Sequence, residues 1–124
     1  MSKPSEPLID GAPVRRFKNP NYKNVGSNLA ELRQKIDLID SQIIELLAQR
    51  ALCVQDATRF KKDAFQVAAP ARQAQVFERV KSKAEAHLEN FPNFPEIVET
   101  TYRTLVAGFI ASEQLLFQKT EIIK

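Results

Sequence analysis

Cysteine, histidine and glycine are all scarce in this chain of 124 residues. Cys53 is the only cysteine and His87 the only histidine. An internal disulfide is therefore excluded, and no cluster of Cys, His and Asp stands at metal-ligand spacing. With 3 glycines there is no Gly-rich phosphate loop, and neither HExxH nor GxSxG occurs. Nowhere do about 18 apolar residues run together, so no membrane span is expected. The opening MSKPSEPLIDGAPVRRF contains no apolar core of a signal peptide. Repeats, low-complexity runs and strand-like alternation are missing too. What these absences leave is a soluble cytoplasmic protein without metal or cofactor, built from helices.

The apolar fraction of 44% suits one compact helical domain. A net charge of +3 permits an anionic small molecule or a nucleic acid and decides neither. Residues 1–26 hold four of the seven prolines together with Arg15, Arg16, Lys18 and Lys23. They form a basic, Pro-rich arm, expected to be flexible and partly draped on the helices with Phe17 and Tyr22 as anchors. No aromatic–basic alternation leads from it into a groove-entering helix, so nucleic acid is not an expected partner.

The helical domain, residues 27–124, begins with a very long element. From Asn28 to Lys61 there is neither Pro nor Gly, and apolar residues recur at three- and four-residue steps from Leu29 through Leu32, Ile36, Ile39 and Ile43 to Leu46 or Leu47, with Val54 a further two turns on. That is the period of a helix with a buried stripe. Asn28 with Glu31 reads as a capping box. Such a helix is about 50 Å long, against a diameter of about 30 Å for a monomer of this size. A second helix is expected from about Ala71, entered through Pro70 with Ala69 extended, to Asn90, burying Val76, Phe77, Val80, Ala84 and Leu88. The break FPNFP precedes a third, opened by an Asn93–Glu96 box and running to the end of the chain, with Ile97, Tyr102, Val106, Phe109 and Ile110 in its core.

Four cations face this helical core, Arg33, Arg50, Lys61 and Arg72, and Glu113 lies in the middle of the apolar third helix. Any one such Arg is ordinarily solvated, but the set is more suggestive. At about 100° per residue, Arg50 and Lys61 stand about 20° apart on one helical face. Arg33 points about 100° away and lies about 25 Å along the axis, so it can join the same site only from a second copy. Cations on an apolar face are costly unless an anion meets them, and Arg suits carboxylates. A pocket for a small dicarboxylate, shared in a dimer, follows.

LRQKIDLIDSQIIELLAQR followed by RFK resembles the first helix of the all-helical chorismate mutases, with that family's L-R-x-x-I-D-x-I-D, then an Arg, then a Lys. The likeness covers about residues 29–117. It implies an all-α, three-helix subunit with one very long N-terminal helix, in an intertwined homodimer. It also implies that Arg33 enters from the partner subunit, that Arg50 grips a substrate carboxylate, and that Lys61 contacts a carboxylate and the enol-ether oxygen. VAAPARQ resembles the family's loop and helix-two entry. That places Arg72 at the next active-site Arg and Gln73 where many bacterial members carry a Glu for the ring hydroxyl. The Ala-Pro-x-Arg form of the loop is closer to the related isochorismate–pyruvate lyases, which make salicylate. An ungapped alignment puts Glu113 at the ether-contacting position, where fungal members carry Glu; a one-residue slip would put Gln114 there.

The expected substrates, chorismate or isochorismate, are dianions that react by pericyclic rearrangement, with no nucleophile, metal or redox cofactor. An enzyme can contribute restraint and complementary charge. Negative charge gathers on the ether oxygen as its carbon–oxygen bond breaks, where Lys61 and a protonated Glu113 are the expected catalytic groups. A carboxyl group in apolar surroundings favours its neutral form, so faster turnover at mildly acidic pH is expected. The leading expectation is conversion of chorismate to prephenate, in aromatic amino acid biosynthesis. The alternative is elimination of pyruvate from isochorismate, in salicylate biosynthesis. A third possibility is a non-catalytic helical dimer that binds through its arm.

Overall fold

The computed structural model describes residues 4–124, so the first three residues of the expected arm lie outside the described residues. Among the described residues there are helices and turns but no strand, and no helix is long and apolar enough to cross a membrane. The chain divides into two compact units, Met1–Ala48 and Gln49–Lys124.

The first unit holds the arm and most of helix α1 (Leu29–Ala57, 29 residues). The start of α1 is capped much as its sequence indicates. Asn28 Oδ1 accepts the Glu31 N–H at 2.9 Å, while the Glu31 carboxylate accepts from Ser27, one residue before the expected donor. The arm adds a cap of its own: the Ile9 carbonyl accepts the N–H of Ala30 at 2.8 Å, one of the donors a helix start leaves without an internal partner. Lys35 reaches back to the carbonyl of Val25. A Cβ on Gly26 would stand 2.7 Å from Leu32 Cδ2, so a larger residue there would require the Leu32 side chain to shift. Phe17 and Tyr22 do not anchor the arm as expected. Their rings lie 4.6 Å apart and both remain exposed; backbone groups make the tie. The expected apolar stripe of α1 is present but uncovered, with no residue of the helix buried and Ile36, Ile39 and Ile43 about half exposed.

In the second unit, α1 ends four residues earlier than its pattern suggests. Thr58 Oγ1 donates back to the Val54 carbonyl at 3.0 Å, a competition that loosens helix ends. The chain tightens into a 3₁₀ turn at Thr58–Phe60, and Lys61 is extended. A short helix the sequence reading did not anticipate, α2 (Ala64–Ala68), follows. Its cap was legible: Asp63 accepts the Gln66 N–H at 2.9 Å and the Gln66 side chain accepts from Lys62 at 2.7 Å, a D-x-x-Q form of the capping box.

One residue separates α2 from α3 (Pro70–Glu85). Ala69 has φ 45° and ψ 61°, left-handed rather than extended. Its N–H closes α2 on Phe65 and its carbonyl opens α3 by accepting from Gln73, each at 2.9 Å. A turn and a 3₁₀ segment (Leu88–Asn90) replace the last turn expected of this helix, leaving Leu88 exposed. Helix α4 (Phe94–Phe117) then packs along α3. Asn93 is left-handed at φ 59° and its side chain makes no cap, so the box expected with Glu96 does not form. Asn tolerates that backbone better than most residues. The helix also stops short of the C-terminus, where the Thr120 hydroxyl takes the Phe117 carbonyl at 2.6 Å. Val67, Val76, Ala84 and Val106 form the buried apolar core, and Thr58 and Glu113 are buried with them. Ile97, expected in that core, is about half exposed.

Candidate active site

A cavity of about 420 Å³ lies within the second unit, walled by the end of α1, the α2–α3 junction, α3 and α4. Each helix contributes by its own period. α1 offers Arg50, Val54 and Ala57; α3 offers Arg72, Gln73, Val76 and Arg79; α4 offers Tyr102, Val106, Phe109 and Glu113. Apart from Gln73, which directly follows Arg72, these are steps of three, four and seven, the face of one helix.

Lys61 reaches the same cavity by a different route from the one its spacing suggested. It stands past the end of α1 in extended backbone, and its Nζ donates to the Gln66 carbonyl at 3.0 Å. The same Nζ lies 3.7 Å from Glu113 Oε2. The guanidinium of Arg50 sits 5.0 Å from the centre of the Phe109 ring. An aromatic face holds the cation in place without using its N–H donors.

Glu113 is 4% exposed. Its Oε2 faces both Lys61 and Thr58 Oγ1, the latter at 3.3 Å. Glu113 lines this cavity, and its Oε1 makes no hydrogen bond or ion pair among the described residues. The carboxyl is thus held by one oxygen and leaves the other without a protein partner. Gln114, the rival on α4, is turned elsewhere: its Nε2 donates to the Ala64 carbonyl at 2.9 Å and ties α4 to α2. Gln73 Nε2 donates to the Ala68 carbonyl at 2.6 Å. That bond requires the amide nitrogen there, which leaves Gln73 Oε1 as an acceptor for a ligand.

Arg50, Lys61, Arg72, Gln73 and Glu113 therefore line one cavity. Arg33 does not line it; it is an exposed residue of α1 in the first unit. His87 also lies outside, exposed in the turn after α3 with its ring nitrogen 3.4 Å from Asn90 Nδ2. Two members of the site were missed. Arg79 follows Arg72 by seven residues, a spacing that was there to be read, and Thr58 follows Val54 by one turn.

A family model described as chorismate mutase type II matches residues 32–114. The chain belongs to the chorismate mutase type II family. The matched stretch starts inside α1, takes in all six residues expected at the site and ends at Gln114, leaving out the arm and the C-terminal tail. Membership in this all-helical family brings with it a chorismate-mutase-like function, an isomerase at family level. Among curated proteins none matches the chain.

Proposed function

We propose that the protein rearranges chorismate to prephenate. The observation that carries this is one cavity lined by Arg50, Lys61 and Arg72 together with a buried Glu113 that has one oxygen without a protein partner. Arg50, steadied on Phe109, grips one substrate carboxylate; Arg72 meets the other at the α3 wall. Lys61 swings from Glu113 to a carboxylate and the ether oxygen. Glu113, protonated on Oε1 and oriented through Oε2 by Thr58, donates to that oxygen as its carbon–oxygen bond breaks. Both groups stabilise charge that exists only in the transition state, and the fixed cations hold the reacting ends together. Val76, Val106 and Ala57 keep the walls apolar, which strengthens each electrostatic contact.

Arg33 comes from a second copy of the chain. The uncovered face of α1, with Ile36, Ile39 and Ile43 about half exposed, is the surface that copy covers, in an isologous homodimer. Its partners are then a dicarboxylate and itself, with neither nucleic acid nor membrane, and it works in the cytoplasm. Residues 1–26 are a basic extension of the helical domain 27–124.

A second reading is favoured by Gln73 and the Ala69-Pro70 junction. The acceptor offered to a ring substituent is uncharged, and the loop has the form that resembles the isochorismate–pyruvate lyases. Chorismate and isochorismate assayed in parallel, at about pH 5.5 and about pH 7.5, decide between them. Prephenate as the dominant product is the expected result. Salicylate with pyruvate would assign the lyase, and no turnover of either would leave a helical binding module.

A further inference from the structure

The cavity holds more positive charge than a dianion requires. Arg50, Lys61, Arg72 and Arg79 line it against a single carboxyl group, that of Glu113. Lys61 has that carboxyl beside it and Arg50 has Phe109. Arg72 and Arg79 have no carboxylate within 4.0 Å among the described residues. They are also the exposed members of the set, whereas Arg50 and Lys61 are half-buried. Positive charge is therefore graded from an open rim to an enclosed floor.

Arg79 owes its place to the helix itself. Seven residues of α3 turn about 700°, so Arg79 stands about 20° from Arg72 and about 10 Å further along the axis. Val76, midway on that face, is buried at 6% exposure and lines the same cavity.

We propose that Arg79 is a substrate-capture residue, drawing the dicarboxylate to the rim before Arg50 and Lys61 take it at the floor. The proposal rests on the reading above for the identity of the substrate, but the effect needs only a dianionic ligand. A rim charge acts on encounter and early binding rather than on the chemical step. Its contribution belongs to kcat/KM, fades with salt, and asks for charge rather than bidentate geometry.

The test compares wild type with Arg79→Ala, Arg79→Gln and Arg79→Lys. kcat and KM are measured with chorismate and isochorismate at about 0.01 M and about 1 M salt, where the Debye length falls from about 30 Å to about 3 Å. Calorimetry with isophthalate, a non-reacting aromatic dicarboxylate, and with monoanionic benzoate reads binding apart from turnover. At low salt the Ala and Gln variants are expected to lose about three- to tenfold in kcat/KM, chiefly through KM. Lys restores most of the loss, high salt erases it, and isophthalate weakens more than benzoate. Melting temperatures equal to wild type accompany the result, since the side chain is exposed.

Unchanged kcat/KM and unchanged isophthalate affinity at low salt would overturn the proposal. So would a salt-independent fall in kcat that Lys does not restore. Wild type turning over neither substrate, with isophthalate binding that still depends on Arg79, would keep the capture role and remove the reaction assignment. Wild type that neither binds isophthalate nor turns over substrate would remove both.

Discussion

Thr58 has one hydroxyl proton and two neighbours, the Val54 carbonyl at 3.0 Å and Glu113 Oε2 at 3.3 Å. The hydroxyl and Lys61 Nζ, the latter at 3.7 Å, both face Oε2, so a proton carried on the other oxygen, Oε1, is the one this carboxyl group can give away. Only a neutral carboxyl group can donate to an ether oxygen. Glu113→Gln, a permanent donor, should keep activity at neutral pH. Glu113→Ala should lose about 10²–10³ in kcat. Steady-state rates check both, and full activity in Glu113→Ala would rule out the donor role. The residue types at this site were largely legible, because cations on an apolar face and a carboxyl on an apolar helix each demand a partner. Thr58 was not, since a hydroxyl near a helix end is too common to stand out.

The junction between α2 and α3 was the least legible element. X-Pro disfavours ordinary helical backbone at Ala69, which the sequence shows, but that restriction does not choose between extended and left-handed. The choice is made by tertiary demand: Ala69 must end one helix and begin another within a single residue, using both its N–H and its carbonyl. Left-handed backbone costs a residue with a Cβ about 1–2 kcal/mol. Ala69→Gly removes that cost while adding about 0.4–1 kcal/mol of unfolded-state entropy, so stability should be unchanged or rise by up to about 1 kcal/mol. Ala69→Val, β-branched, should lose about 1–3 kcal/mol. Urea unfolding midpoints measure both, and a more stable Val variant would contradict the left-handed geometry. The end of α1 misled in a related way. Helical spacing put Arg50 and Lys61 on one helix face; the two line one cavity, yet Lys61 arrives from extended chain, because Thr58 ends the helix first.

At the scale of the whole molecule, a helix of 29 residues with none buried needs a cover, and the proposed second copy supplies both that cover and Arg33. Arg33→Ala and Arg50→Ala, each alone, should be nearly inactive, since a charge-assisted contact to a carboxylate contributes about 1.5–3 kcal/mol or more in a dry site. Unfolded together and refolded, they should recover about a quarter of wild-type activity, because half the dimers are mixed and each mixed dimer has one intact site. No recovery, with a dimer seen by sedimentation, would place Arg33 outside the neighbouring site. The proposal that a second copy shares the site starts from one angle and one distance along a helix, and the uncovered apolar face adds a reason for it in the folded chain. Cys53, the only cysteine, is exposed and lines the cavity. The unmutated protein thus carries one alkylatable thiol per site. Anything that fills the cavity shades it, so the labelling rate becomes an occupancy gauge that works even for compounds the protein never transforms.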